Sequence, residues 1–576
     1  MDVVPPPEGG PTVTDLSLVG GKYELRDVSN GRLIMQQRNA LPLVTVMDSQ
    51  VTSTLKINEQ PAGYDMVVTF TNPTNSQLRL GTIYVGMLTV GADIEYLDIR
   101  HTSIWRPASF STFVGKGYTY PDDLYSPAYI IRGPEYAVGV SMRYPIIEYD
   151  HDVRVATMNP SGGNSGEGGP GWGAGFRLSN PDNCPPTQAM RHPGFLPAKT
   201  SRTYVVSVRV SRDRQDWMPT MLPYLKYFRG MYGGVSYKRD GRPILPVGIA
   251  DSVNQEPGNL DGYGDPNIRR PDIFGWGPWA DRLVDQQGYH SLMLWAPSGM
   301  YFHNPQYNYP FQITSRWNVL PTLATAFDPD IGLPRVRASG KTLGLWWGRS
   351  LDVSTVWDPA TVTPLNPNNP VHVQLAREEI EGAVDAGVGL IGLDTCNPSI
   401  NGIRNAYTWI KYLRENYPDM RFIAEPSPCD ILHSLIGGVL PGWTTETTPK
   451  TLAECYPYHN PHYMADLLLP GHESVMSYRY NNQADYFDYT PSDLEVDHDI
   501  RWFASMGYTP MLWTPVETAG DVVAAESWMW TVPGWMRNIY GEGSGADDQG
   551  SSGGDKADKS AGGHAGDKDG MKAEVK

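Results

Sequence analysis

Two apolar runs in this chain each close on an acid: "GLIGLD" ends at Asp394 and "RFIAE" at Glu425. Such runs read as buried strands. Neighbouring strands lie about 4.8 Å apart, so carboxyl groups at two adjacent strand ends come within roughly 5–9 Å of each other. That spacing suits a pair working in opposite states. One is ionised, to attack a carbon centre or activate water, and the other is protonated, to donate to a leaving oxygen. Burial and mutual repulsion split the two pKa values. On this reading Asp394 is the nucleophile or base and Glu425 the general acid. The structural alternatives are that Asp394 caps the next helix or bonds a loop, and that Glu425 pairs with Arg349.

Other apolar runs end on side chains that could shape a site. Asp251 follows "PILPVGIA", and Trp295 lies near the end of "SLMLWAP". "GLWWGRS" offers Trp346, Trp347 and Arg349. Neighbours alternate along a strand, so one of the two tryptophans must face away from the site; Trp347 is taken as the inward one. Trp295, Trp347, Arg349 and Asp251 together suit a polar, uncharged ligand with an apolar face. "LLLPGHESVMSY" places His472 and Glu473 as further candidates at the mouth, and Glu446 in "GWTTETT" is another possible acid.

Metal and nucleophile motifs are weak. Cys455, His459 and His462 in "CYPYHNPHY" fit no zinc-finger or H-E-x-x-H spacing, so no metal or cofactor is expected. A metal-dependent hydrolase using His459, His462 and His472 is the rival. "DGYGDPNIRRPD" (261–272) starts like a calcium loop but lacks its closing Glu. No G-x-S-x-G elbow occurs. Cys396 and Cys429 each follow one of the acids, and a disulfide between them is an expectation that the Cα separation decides.

The elements that must position these residues change in texture along the chain. After a flexible start (1–19), residues 20–212 are strand-like. "SRTYVVSVRV" alternates with the period of a half-buried strand, "RGPE" reads as a hairpin turn, and "NPTN" as a turn between strands. This predicts an N-terminal antiparallel β-sandwich, with the glycine-rich stretch 159–175 as a surface loop. A linking helix is expected within 213–240. From 241 to 540, apolar runs alternate with amphipathic patterns such as "HVQLAREEIEGAVDAG", stopped by Gly387, and "GIRNAYTWIKYLREN". Six strands are clear and two weaker ones, "GGVLPGW" and "ESVMSY", complete a (β/α)8 TIM barrel whose C-terminal strand ends form the active-site mouth. A doubly wound sheet is the runner-up, but no G-x-G-x-x-G turn follows the first strand. Residues 541–576, rich in Gly, Asp, Lys and Ser, are expected to be disordered.

Composition narrows the partners. The net charge of −17 opposes phosphate binding and so excludes nucleic acid. No run of about 18 apolar residues predicts a membrane span. "MDVVPPPEGG" has neither the charged nor the apolar segment of a signal peptide; the compartment is open, secreted or periplasmic only if a leader was removed. The 33 Tyr and 17 Trp exceed what packing alone explains and offer stacking surfaces for a carbohydrate.

A sheet domain, a linking helix, and a barrel with an acid after strand 4 resemble the alpha-galactosidase clan of glycoside hydrolases. "GLWWG" is similar to the Gly-Leu-Trp on strand 3 of some of its members. That resemblance implies Asp394 as a catalytic acid and a second acid after strand 6, which points to Glu446. The alpha-amylase family instead carries an acid after strand 4 and another after strand 5, matching Asp394 and Glu425. Both groups carry a basic residue two positions before the strand-4 acid, where this chain has Gly392. The expected function is cleavage of O-glycosidic bonds. The alternative is a non-catalytic carbohydrate-binding or surface-assembly protein on the same scaffold.

Overall fold

The computed structural model describes residues 16–19, 22–26, 33–37, 49–81, 83–90, 95–100, 104–106, 118–121, 124–132, 136–149, 153–158, 172–178, 194–211, 217–233, 239–248, 284, 290–295, 329–330, 333–354, 362–394, 396, 402–425, 428–440, 443–444, 462–478, 500–501, 503–505, 507–512 and 522–524. The C-terminal segment 541–576 and the stretch 261–272 that starts like a calcium loop lie outside them, as does most of the glycine-rich stretch.

The N-terminal part forms two seven-stranded antiparallel sheets. The "RGPE" hairpin pairs Leu124–Arg132 with Ala137–Arg143. Ser201–Ser211 carries the expected alternation: Tyr204, Val206, Val208 and Val210 are buried. These inward side chains join the two sheets. The ring of Tyr129 packs 5.5 Å from that of Phe176 on the opposite sheet. Gly86 lets Val206 approach so closely that an added Cβ would lie 2.7 Å from it. Asn72 opens the "NPTN" turn and organises it. Its amide donates to the carbonyls of Ser76, Leu196 and Pro197, and its Oδ1 accepts from Thr74. A short 3-10 turn (Met218–Met221) then leads into helix α1 (Leu222–Tyr232), which buries Tyr224, Leu225 and Phe228 and stops at Gly233 with φ 75°.

The barrel strands are β1 (Ile244–Gly248), β2 (Ser291–Trp295), β3 (Thr342–Trp347), β4 (Leu390–Leu393), β5 (Arg421–Ala424), β6 (Gly437–Val439), β7 (Glu473–Tyr478) and β8 (Tyr508–Leu512). All pair in parallel, and β8 returns to β1 through Met511 and Ile244. This closure excludes the doubly wound sheet. Both weak strands are real. A two-residue continuation of β6, Trp443–Thr444, also pairs with β7, with the register slipped by one residue as a bulge requires.

Between the strands lie α2 (Leu333–Ala338), α3 (Pro370–Asp385), α4 (Ile403–Asn416), α5 (Asp430–Ile436) and α6 (His462–Leu468). Helix α3 starts where Asn369 caps it, the side chain accepting from the Val371 N–H, with Pro370 in the first turn, where no N–H is needed. Gly387, at φ 77°, ends it as the sequence implies. Helix α4 buries Ile403, Ala406, Trp409, Ile410 and Leu413 as one stripe. Inside the barrel, Ile244, Met293, Trp346, Leu390, Ile423, Leu440, Val475 and Met511 form one core. Each large apolar side chain buried there contributes about 1.5–3 kcal/mol.

Candidate active site

The interior core sets which residues face the barrel axis. Leu390 and Ile423 are interior, and side chains alternate along a strand. Gly392 therefore faces the axis with Leu390, and Asp394 continues that series just past β4. Glu425 continues it from Ile423 just past β5. Leu393 pairs with Ala424, so the two acids follow in step on neighbouring strands. The ladder carries on through them. Asp394 N–H donates to the Trp347 carbonyl at 3.0 Å, Glu425 N–H to Leu393 at 2.9 Å, and Cys396 N–H to Glu425 at 2.8 Å. Ser350 clasps the Asp394 carbonyl with both its N–H (2.9 Å) and its Oγ (3.0 Å). Both acids are half-buried, between an apolar floor and the mouth.

The floor comes from Trp346, and it explains Gly392. Trp346 pairs in register with Gly392. A Cβ at Gly392 would sit 2.0 Å from the Trp346 Cε3, inside the indole. The ring thus occupies the volume that a lysine or arginine side chain would need. Position 392 has no basic residue because strand 3 fills that space from the side. Sequence reading missed this, since the register between strands 3 and 4 is a long-range fact.

Trp347 is corrected. With Trp346 inward, Trp347 points into the helix layer, edge-on to Trp409 of α4 at 6.3 Å between ring centres, so it is no wall of the mouth. Arg349, just past β3, sits in the left-handed region at φ 59°, a conformation costing a non-glycine residue roughly 1–3 kcal/mol. A tight turn holds it there. Asp352 N–H donates to the Arg349 carbonyl at 2.9 Å, and Arg349 Nε lies 2.5 Å from Asp352 Oδ2. Burial raises the Asp352 carboxyl pKa, against the bond and charge of Arg349. Arg349 thus stays beside the mouth with Asp352 as its partner. Trp295 ends β2, its side chain outside the described residues; Asp251 and Glu446 lie outside them entirely.

His472 and Glu473 are corrected too. Glu473 is the first residue of β7, so it lies at the N-terminal end of the barrel, opposite the mouth. There its Oε1 accepts from the Gly241 N–H at 2.9 Å and the Thr509 Oγ1 at 2.5 Å. Arg421, first residue of β5, holds it through Nη2 at 2.6 Å and Nε at 3.0 Å. Burial pushes this carboxyl up, but the Arg421 charge and the hydroxyl of Thr509 outweigh it and hold the pKa at about 2. His472 Nε2 lies 2.7 Å from Asp466 Oδ1, both buried. Neither residue reaches the mouth.

The expected disulfide is absent: Cys396 and Cys429 are free and buried. The Cys396 thiol is engaged by Ser350, and burial together with the nearby Asp394 charge pushes it up to about 12. Cys429 stands immediately before α5 without a side-chain capping bond, meets Tyr120, and has its thiol pKa raised by burial as well. Both are protonated, packed groups, without the low pKa of a nucleophilic cysteine. Among the described residues no cluster of His, Cys, Asp and Glu could hold a metal; Cys455 and His459 and the side chain of His462 lie outside them. Among these residues, too, no helix is long and apolar enough to cross a membrane.

No known protein-family profile matches the chain, and no curated protein matches it in sequence. Solved structures do. A family-36 alpha-galactosidase of Geobacillus stearothermophilus, in complex with raffinose, is similar at TM-score 0.45 and 12% identity, covering 90% of this chain and 68% of its own. An alpha-galactosidase of Thermus thermophilus, in complex with stachyose, matches at TM-score 0.39 and 12% identity over 83% of this chain and 96% of its own. The cyclic maltosyl-maltose hydrolase of Arthrobacter globiformis matches at TM-score 0.27 and 14% identity over 47% and 72%. These three solved structures are glycoside hydrolases.

Proposed function

We propose that the chain is a glycosidase that cleaves O-glycosidic bonds of an oligo- or polysaccharide without a cofactor, using Asp394 and Glu425. The observation carrying this reading is their placement in step, past neighbouring strands, half-buried above the apolar floor of Trp346 and Ile423. A carboxylate against an apolar floor but open to the mouth can hold its proton or lose it according to its neighbour's charge. The pair then divides the work, Asp394 ionised at the anomeric carbon or its attacking water and Glu425 donating to the leaving oxygen. Asp251, Trp295 and Arg349 shape the sugar site around them.

A second reading has one observation in its favour. The indole of Trp346 fills the space at position 392 where the families the sequence resembles carry a basic residue, as a barrel that binds sugar without cleaving it would allow. The test is reducing-sugar release from a broad panel of poly- and oligosaccharides, comparing wild type with Asp394→Asn and Glu425→Gln, each verified as folded. Loss of release in both variants supports the pair. Release surviving in both moves the chemistry to Glu446, since Glu473 is sealed at the far end. Binding of a sugar with no release by wild type establishes the non-catalytic reading.

A further inference from the structure

Four residues separate Glu425 from Asp430, the first residue of α5. Asp430 is wholly buried, yet its partners come from distant parts of the chain. Tyr120, from the N-terminal sheets, donates its hydroxyl to Oδ1 at 2.7 Å, and Tyr224, from the linking helix, donates to Oδ2 at 2.6 Å. The Ile431 N–H also donates to Oδ1, at 2.8 Å. One turn further on, His433 Nδ1 lies 2.7 Å from the Tyr125 hydroxyl. The other side of the His433 ring meets His472 edge-on at 5.1 Å, and His472 in turn holds Asp466. The titratable groups facing Asp430 and its helix are therefore Tyr120 and Tyr125 from the sheets, Tyr224 and Tyr232 from α1, Cys429 at its own N-terminus, and Asp466 of α6 with His472 just before β7.

An apolar seam of this size would hold the two parts together at least as strongly. What directional bonds add is a fixed rotation and depth for α5, whose first residue lies five positions after Glu425. Small displacements of a catalytic group are costly. We propose that Asp430 is a positioning residue for Glu425: through it the N-terminal sheets and the linking helix grip α5, the helix that follows strand 5. The role assigned to Glu425 is that of the proposed glycosidase; the grip itself stands on the contacts.

The pH sense follows from burial. Burial raises the Asp430 carboxyl to about 6, against the donors Tyr224, Tyr120 and Ile431. The folded chain keeps a proton there that the unfolded chain releases near 3.8. The associated stability is complete below that lower value and is lost as pH rises through about 6.

Hydrogen exchange of peptides spanning 426–436, expressed as protection factors at about pH 5 and about pH 7.5, tests this in wild type, Asp430→Asn and Tyr120→Phe. Wild type should gain protection in acid, by roughly tenfold between these two pH values, and Asp430→Asn should lose that pH dependence. Tyr120→Phe should lose more protection near neutral pH than in acid, because the ionised carboxylate depends more on its donors; it serves alone if Asp430→Asn does not fold. Where a cleaved sugar is known, Tyr120→Phe should lower kcat with little change in KM and shift the pH profile. Unchanged protection of 426–436 in both Asp430→Asn and Tyr120→Phe overturns the grip. Changed protection with kcat and pH profile intact overturns the positioning role. The exchange measurements need no substrate, so a failed sugar panel would sink the glycosidase reading and leave the grip tested.

Discussion

At one end of the barrel Glu473 is sealed among Arg421, Thr509 and the Gly241 N–H. At the other end Asp394 and Glu425 stand half-buried beyond their strands. The three acids share one chemistry and differ only in surroundings. Glu473 is held ionised by a buried cation and donors, so it cannot exchange a proton near neutral pH. The mouth acids are half-buried past strands whose interior side chains are apolar, a setting in which a carboxyl group can be poised for proton transfer. Under the proposed function, an acid at a barrel strand serves structure at the strand's beginning and chemistry at its end.

That contrast can be broken by mutation. Glu473→Gln leaves Arg421 buried without its carboxylate and should cost about 3–5 kcal/mol in denaturant unfolding, while folded molecules keep their activity. Asp394→Asn and Glu425→Gln should do the reverse: stability within about 0.5 kcal/mol of wild type and turnover down by about 10²–10⁴-fold. Equal stability losses at both ends would erase the distinction.

Acid titration is the next largest effect. The Glu473 carboxyl is held at about 2 against an ordinary 4.5. Its contribution, on the order of 3 kcal/mol, is present above about pH 4.5 and lost as pH falls toward 2. Asp430 runs in the opposite sense at higher pH. Unfolding curves for wild type, Glu473→Gln and Asp430→Asn between about pH 3 and 7.5 should separate the two.

Packing beneath the mouth gives a smaller effect. Gly392→Ala drives a methyl group into the Trp346 ring and should cost about 1–3 kcal/mol. Adding Trp346→Leu should recover part of the loss, and strict additivity in the double mutant would show that the two side chains do not share that volume. The smallest is a calibration away from both ends: Asn369→Ala removes the cap of α3 and should cost about 1 kcal/mol with activity unchanged.

Much of this was legible in the chain. Parallel strands buried on both faces read as apolar runs, helices as one-sided stripes, and both signals are local. The placement of Asp394 and Glu425 at strand ends needed only the order of run and acid. The same rule, applied to "GHESVMSY", would have put Glu473 at the opposite end, because there the acid precedes the apolar run. Trp346 and Trp347 could not be sorted that way. Alternation says that one faces inward, but only the pairing with Gly392 says which.

By itself, then, the sequence determined the two-part architecture, the eight strands and the acids that close two of them, because hydrophobic periodicity acts over a few residues at a time. The tertiary structure decided what surrounds each acid: the indole over Gly392, the arginine on Glu473, and the tyrosine on Asp430 from 310 residues away. A carboxyl group's protonation depends on burial and on its nearest donors and charges, and those neighbours are chosen by the fold, not by adjacency in the chain.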